Sequence, residues 1–201
     1  MSDSFKRRIR RGCLVHLTTF IALVVLAAVD RLRNANEEYS VYSAYLSQEI
    51  LAHDSLRGAE TPLQIVMVDT TEMNGTPSLW ARNFASERRG FNSLHVSTRV
   101  SFIIRNLYHT RILPNLRVPK QISVVLGDQT QIREFWDSSK FDVRRNGYST
   151  FSGVGFNPTR TQAIFYMENI CPGLCGGGWY VLMEKVGGMW QVRDKYYTWV
   201  S

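Results

Sequence analysis

A chain of 201 residues with 44% hydrophobic content is long enough for one domain with a real core and too short for two comfortable ones. Its 12% aromatic and 20% charged content excludes a disordered chain. Of the net charge of +7, residues 1–29 carry +4 and the rest only +3, with no basic helix or basic–aromatic ladder, so no nucleic-acid partner is expected.

Lys6, Arg7, Arg8, Arg10 and Arg11 stand directly before an apolar run, Cys13 to Val29, that contains no Asp, Glu, Lys or Arg. A spanning helix wants about 20 residues, with a lower limit near 17. Gly12 and snorkelling Arg11 and Arg31 extend the run. The pattern predicts a signal-anchor: residues 1–12 cytoplasmic, 13–29 a transmembrane helix, and the rest extracytoplasmic by the positive-inside rule. One alternative is a signal peptide cleaved near Val25-Leu-Ala27, giving a secreted protein; another is a buried core helix.

The extracytoplasmic domain is taken as 34–201. Asn34 to Ala52 reads as a helix, capped by Asn34 or Asn36, with Glu37 and Glu38 in its positive first turn. Tyr39, Tyr42, Tyr45 and Leu46 recur at helical spacing and are read as core against a sheet, with hydroxyls at the rim. A tyrosine strip for sugar or peptide is the alternative. Leu63 to Asp69 is a strand behind Pro62, ending in Asp69 and a turn at Asn74-Gly75. Asn74-Gly-Thr76 also fits a glycosylation sequon. Residues 75–92 read as an exposed connection.

Ser93 to His109 reads as a second helix on the pattern Val96, Val100, Ile103 or Ile104, and Leu107 or Tyr108, with Ser93 or Ser97 as cap. Pro114 ends it and residues 114–119 are an extended linker. Gln121 to Leu126 alternates as a strand. Asp128 then caps a short helix, Gln129 to Asp137, with Ile132, Phe135 and Trp136 inward.

From Tyr148 the period becomes two. Four strands are expected: Tyr148 to Phe156, Thr161 to Glu168, Trp179 to Lys185 and Met189 to Val200. Gly153 and Gly155 leave room for a bulge or close packing. Asn157-Pro158 turns the chain, and Gly187-Gly188 makes a two-residue hairpin. The fold expected is therefore α+β: a transmembrane helix, then two or three helices on an antiparallel sheet that ends in a four-stranded meander, 148–201.

The string Val154-Gly-Phe-Asn157, Cys171-x-Gly-Leu-Cys-Gly-Gly-Gly178, Tyr180-Val-Leu-x-Glu-Lys185 and Gly188-x-Trp190 resembles the C-terminal part of a group of uncharacterised bacterial proteins. Many of them also begin with a basic, hydrophobic segment. The resemblance covers about the last third of the chain and implies no activity. The Gly-rich hairpin followed by Trp190-x-Val192 is also similar to the last strands of cystatin-like (nuclear-transport-factor-2-like) α+β folds, a likeness of fold only.

Cys171 and Cys175 are too few for a four-cysteine zinc site, and outside the membrane they are read as a disulfide. Free thiols are the alternative, followed by a redox or metal role, for which the spacing is one residue too long. Gly176 to Gly178 precede a strand rather than a helix and lack a following Lys-Ser/Thr pair, so they are read as permitting positive φ in a tight turn. His16, His53, His95 and His109 show no metal spacing, and no Gly-x-Ser-x-Gly elbow is present. No metal and no cofactor are expected. Asp69, His95 and His109 are the candidates for a functional pocket, and with Ser152 the first two compose a triad on paper. Asp69 alone reads more simply as the cap of a turn. The resulting expectation is a membrane-anchored envelope protein acting as a non-catalytic binding module. The alternative is a small extracytoplasmic enzyme, a hydrolase.

Overall fold

The structure is a computed structural model and describes residues 35–49, 63–71, 93–107, 109–112, 116–128, 130–132, 134, 147–170 and 176–201. The chain divides into two compact units, residues 1–38 and 39–201. The expected transmembrane segment, Cys13, Cys171, Cys175 and the Asn74 sequon lie outside the described residues. Among the described residues no helix is long and apolar enough to cross a membrane.

The larger unit is α+β. Helix α1 covers residues 35–49, of which 39–49 belong to this unit. Strand β1, Leu63–Val68, precedes helix α2, Val96–Arg105, and strand β2, Ile122–Gly127. Then follow β3, Tyr148–Phe151; β4, Gly155–Phe156; β5, Gln162–Ile170; β6, Gly177–Val186; and β7, Met189–Val200. They form one sheet in the order β2-β1-β3-β5-β6-β7, with β4 also on β5.

The C-terminal hairpins are antiparallel as the period-two pattern predicts. Gly187 and Gly188 both take positive φ between Val186 and Met189, the geometry a two-residue hairpin needs. The expectation of an antiparallel sheet throughout is corrected: β1 runs parallel to both β2 and β3. Parallel neighbours need a long crossover, and the chain between β1 and β2 carries α2 as one. The sheet is therefore mixed, and mostly antiparallel.

Alternation along the strands loads both faces. On one, Tyr42, Tyr45 and Leu46 of α1 pack on Phe151, Phe165, Met167, Val181 and Met183. Tyr42 and Tyr45 set their ring edges against Phe151 and Phe165. Their hydroxyls do not reach the rim as expected: Tyr42 donates to the carbonyl of Ser152 at 2.6 Å, and Tyr45 accepts from Trp179 Nε1 at 3.0 Å. On the other face Phe102 of α2 and Leu94 pack on Ile164, Tyr166, Tyr180 and Leu182.

The predicted strand 148–156 is broken at residues 152–154. Phe151 pairs with Met167 and Gly155 with Ile164, so the broken side holds one extra residue. A Cβ on Gly155 would overlap the backbone of Phe102, so α2 rests directly on the chain here. The break also decides how α2 is turned. Backbone groups that leave the ladder need other partners. Asn106 supplies two: its Nδ2 donates to the Gly153 carbonyl at 2.9 Å, and its Oδ1 accepts from the Gly153 N–H at 2.8 Å. Ser101 Oγ accepts from the Phe156 N–H at 3.1 Å.

α2 thus presents its polar face, with Phe102, to the sheet. Of the apolar positions that carry the helical pattern, Val96, Val100 and Ile104, with Leu107 just beyond the helix, face out: they are 74%, 48%, 55% and 61% exposed. The cap also differs. His95 holds the N-cap position without a side-chain bond, and the helix stops at Arg105 rather than His109.

Candidate functional site

Three pieces of chain meet at the carboxyl ends of the parallel strands. β1 ends at Val68, and the Asp69 N–H donates to the Gly127 carbonyl at the end of β2. After α2 the chain returns beside this end. Thr70 and Arg111 form an antiparallel bridge, and the Ile112 N–H donates to the Asp69 carbonyl. Thr71 and Thr110 bond through backbone and hydroxyls, and Arg105 Nη2 donates to Thr110 Oγ1 at 3.1 Å.

Over this junction lies a groove of about 590 Å³. Ile112, Leu116, Val118, Val124 and Leu126 make its apolar wall, and Asp69, Arg111 and Gln131 its polar rim. The wall is continuous with the core under α1. Gln131 is fixed by a reciprocal capping box. Its N–H donates to Asp128 Oδ1 at 2.8 Å, while its Oε1 accepts from the Asp128 N–H at 3.1 Å. This confirms Asp128 as the predicted cap.

The turn that Asp69 was expected to cap, 72–75, lies outside the described residues, and within them the carboxylate has two partners. Its Oδ2 lies 3.3 Å from Arg111 Nε, and its Oδ1 accepts from Thr70 Oγ1 at 3.1 Å. The carboxylate is mostly shielded, while the guanidinium is exposed. A shielded acid at a strand end requires a partner of opposite charge, and the returning segment provides it.

Of the three candidates from sequence, Asp69 lines the groove. His109 lies next to it in the structure, its exposed ring bonded through Nδ1 to the Thr71 carbonyl at 2.7 Å, but it is not part of the lining. His95 is not brought to the site. It sits at the opposite end of α2, where its N–H donates to Gln162 Oε1 at 2.8 Å, and ten helical residues span about 15 Å. Ser152 is fully buried; its hydroxyl accepts from the Tyr166 N–H and bonds to the Gly153 carbonyl. The triad drawn on paper from Asp69, His95 and Ser152 is therefore not assembled.

Arg111, Gln131 and the apolar wall were not legible as a site. Two signals point to them: the apolar residues Leu116 and Val118 inside a supposed linker, with Ile112 before it, and the Asp128-x-x-Gln131 capping pattern. Among the described residues no group of His, Cys, Asp and Glu is placed to hold a metal ion. No family model, no curated protein and no solved structure matches this chain.

Proposed function

We propose that the chain is a membrane-anchored, extracytoplasmic binding module whose ligand seat is the groove at the carboxyl ends of β1 and β2. One observation carries the choice of site. The groove has the size and make-up of a small-molecule seat, an apolar wall with a few convergent polar groups. It also lies where open sheets with parallel strands commonly hold ligands. Its two ionisable lining groups, Asp69 and Arg111, are spent on each other, which favours orienting a ligand over proton transfer. Among the described residues His95 and Ser152, the histidine and serine of the hydrolytic alternative, are not brought to Asp69.

The anchoring rests on the basic residues before the apolar run 13–29. A disulfide between Cys171 and Cys175 belongs to the same extracytoplasmic reading. The likeness of fold to cystatin-like sheets rests on the glycine hairpin and Trp190-x-Val192 alone.

The test uses the full chain held in lipid nanodiscs and a panel of small aryl and alkyl carboxylates, amines and neutral analogues, followed by calorimetry. At least one class should give saturable one-site heat, and Leu126→Trp, which fills the groove, should abolish it. Binding that survives Leu126→Trp, or a panel without a binder, would overturn the site. Protease accessibility of a C-terminal tag in intact cells tests the orientation: protection of the tag would overturn it.

A further inference from the structure

The Asp69–Arg111 pair does not use its two members equally. The carboxylate is mostly shielded and both its oxygens are engaged, Oδ2 by Arg111 and Oδ1 by the Thr70 hydroxyl. The guanidinium is 76% exposed and meets Asp69 through Nε, at 3.3 Å. Among the described residues none accepts a hydrogen bond from Arg111 Nη1 or Nη2. Asp69 thus holds the guanidinium by Nε and leaves the Nη1–Nη2 edge, a fork of N–H donors, unfilled on the rim of the groove.

Gln131 ends the same way. Its Oε1 is committed to the Asp128 N–H, which can only donate, so the free end of the amide is Nε2, again a donor. The free side-chain ends on this rim are therefore donors, and the acceptors of Asp69 are already taken.

A ligand group that only accepts matches such a rim. A carboxylate is that group: planar, singly charged, and able to take two parallel bonds from one guanidinium. An ammonium would have to reach the engaged oxygens of Asp69 and sit beside Arg111 with like charge. A hydroxyl accepts without the charge that strengthens the bond. A phosphate dianion asks for more positive charge than one guanidinium supplies. The short helix after β2 offers it no open N-terminus, because Asp128 Oδ1 already takes the Gln131 N–H there.

The wall sets the rest of the ligand. Ile112, Leu116, Val118, Val124 and Leu126 are all aliphatic, with no ring to stack on a planar body. We propose that the groove selects an aliphatic monocarboxylate, its chain on this wall and its carboxylate on the Nη1–Nη2 edge of Arg111, with Gln131 Nε2 as a second donor on the same rim. Asp69 is the positioning residue that fixes the guanidinium. The proposal rests on the groove being the ligand seat and adds the class of ligand that it takes.

The test is a ligand-observed NMR titration of the full chain in lipid nanodiscs, with the signal from empty nanodiscs subtracted. Hexanoate, hexylamine, hexanol and hexyl phosphate share one chain and differ in the head. Hexanoate should bind about tenfold or more tightly than each of the others, the margin a charge-assisted paired bond carries. Arg111→Lys keeps a cation beside Asp69 but removes the forked edge. In that variant hexanoate should weaken about tenfold and hexanol should not change. The ranking of heads in the unmutated chain decides even where the variant fails to fold. A tighter amine or phosphate, hexanol equal to hexanoate, or a folded Arg111→Lys chain with undiminished hexanoate binding would each overturn the carboxylate assignment. If Leu126→Trp still removes the signal in those cases, the groove stands. Hexanoate binding that survives Leu126→Trp overturns the groove and this proposal together. Binding by none of the four overturns this proposal, and the wider panel above then decides on the groove.

Discussion

The Tyr166 hydroxyl joins β5 to β7 through polar contacts across β6. It donates to Glu168 Oε1 at 2.8 Å, accepts from Trp199 Nε1 at 3.0 Å and lies 3.2 Å from Thr198 Oγ1. Gly178 makes room for it, since a Cβ there would overlap both the hydroxyl and the indole nitrogen. The reason for this glycine is therefore close packing, not the positive φ expected from the loop: Gly177 and Gly178 are strand residues, and the described glycines with positive φ are Gly187 and Gly188. The sequence shows the glycine run but not the indole from the end of the chain that packs on it. Burial, with the charge of Glu168 adding to it, pushes the Tyr166 phenol up to about 12. Burial raises Tyr45 as well. An unfolded tyrosine titrates near ~10. The native state keeps these protons where the unfolded chain gives them up, so their contribution to stability is whole below pH ~10 and falls as pH rises above it, the Tyr166 part being lost through about 12. The denaturant midpoint should fall across that window. Tyr166→Phe should make the fall shallower, and at neutral pH should cost about 1–3 kcal/mol because buried Glu168 loses a donor. An unchanged slope would rule out this titration as a cause.

At the scale of the element, α2 shows why periodicity identified a helix but not its orientation. The apolar spacing gave the right secondary structure and left the orientation open, although hydrophobicity alone would turn those residues inward. The break between β3 and β4 reverses that choice. Its free N–H and C=O groups require the amide of Asn106 and the hydroxyl of Ser101, and its glycine at 155 admits the helix backbone. Thr98 Oγ1 adds a bond to Gln162 Oε1 at 3.0 Å, and Gln162 Nε2 reaches the Ser93 carbonyl. Gly153 and Gly155 hinted at close packing, and nothing in one sequence says which helix comes close. The consequence for stability is opposite to the one the stripe implies. Val100→Ser should change the unfolding free energy by no more than about 0.5 kcal/mol, as an exposed substitution. Phe102→Ala, which empties a fully packed site, should cost roughly 3–5 kcal/mol. Chemical denaturation of both variants separates the two orientations; a large loss at Val100 would return the stripe to the core.

Across the whole molecule, what was legible is what is local. The β5–β6 and β6–β7 hairpins follow from alternation and turn residues that lie within the segment itself. The pairing of β1 with β2 and β3 is not local: Val66 meets Tyr148 and Ile65 meets Val124, and such contacts leave no periodic signature. Their loops must close before they add stability, so they rest on the antiparallel strands rather than support them. Burial agrees. β5 is buried from Gln162 through Glu168 and has neighbours on both sides, whereas β2 alternates buried and exposed positions at one edge of the sheet. At the other edge β7 is held by α1, where Gln48 donates to the Trp190 carbonyl and accepts from the Val192 N–H, and Glu49 pairs with Lys195. Native-state hydrogen exchange should therefore be graded across the sheet. Amides of Ile164 to Met167 should exchange only through global unfolding, while those of β2 and the Thr70–Arg111 bridge should exchange by local opening at a lower free energy. Ligands that fill the groove should slow exchange at β2 and the bridge, and at β5 by the same factor, because local opening and global unfolding both destroy the seat. Equal protection at Val125 and Phe165 in the free protein would show that the sheet opens as one unit, and the groove would then be preformed and rigid.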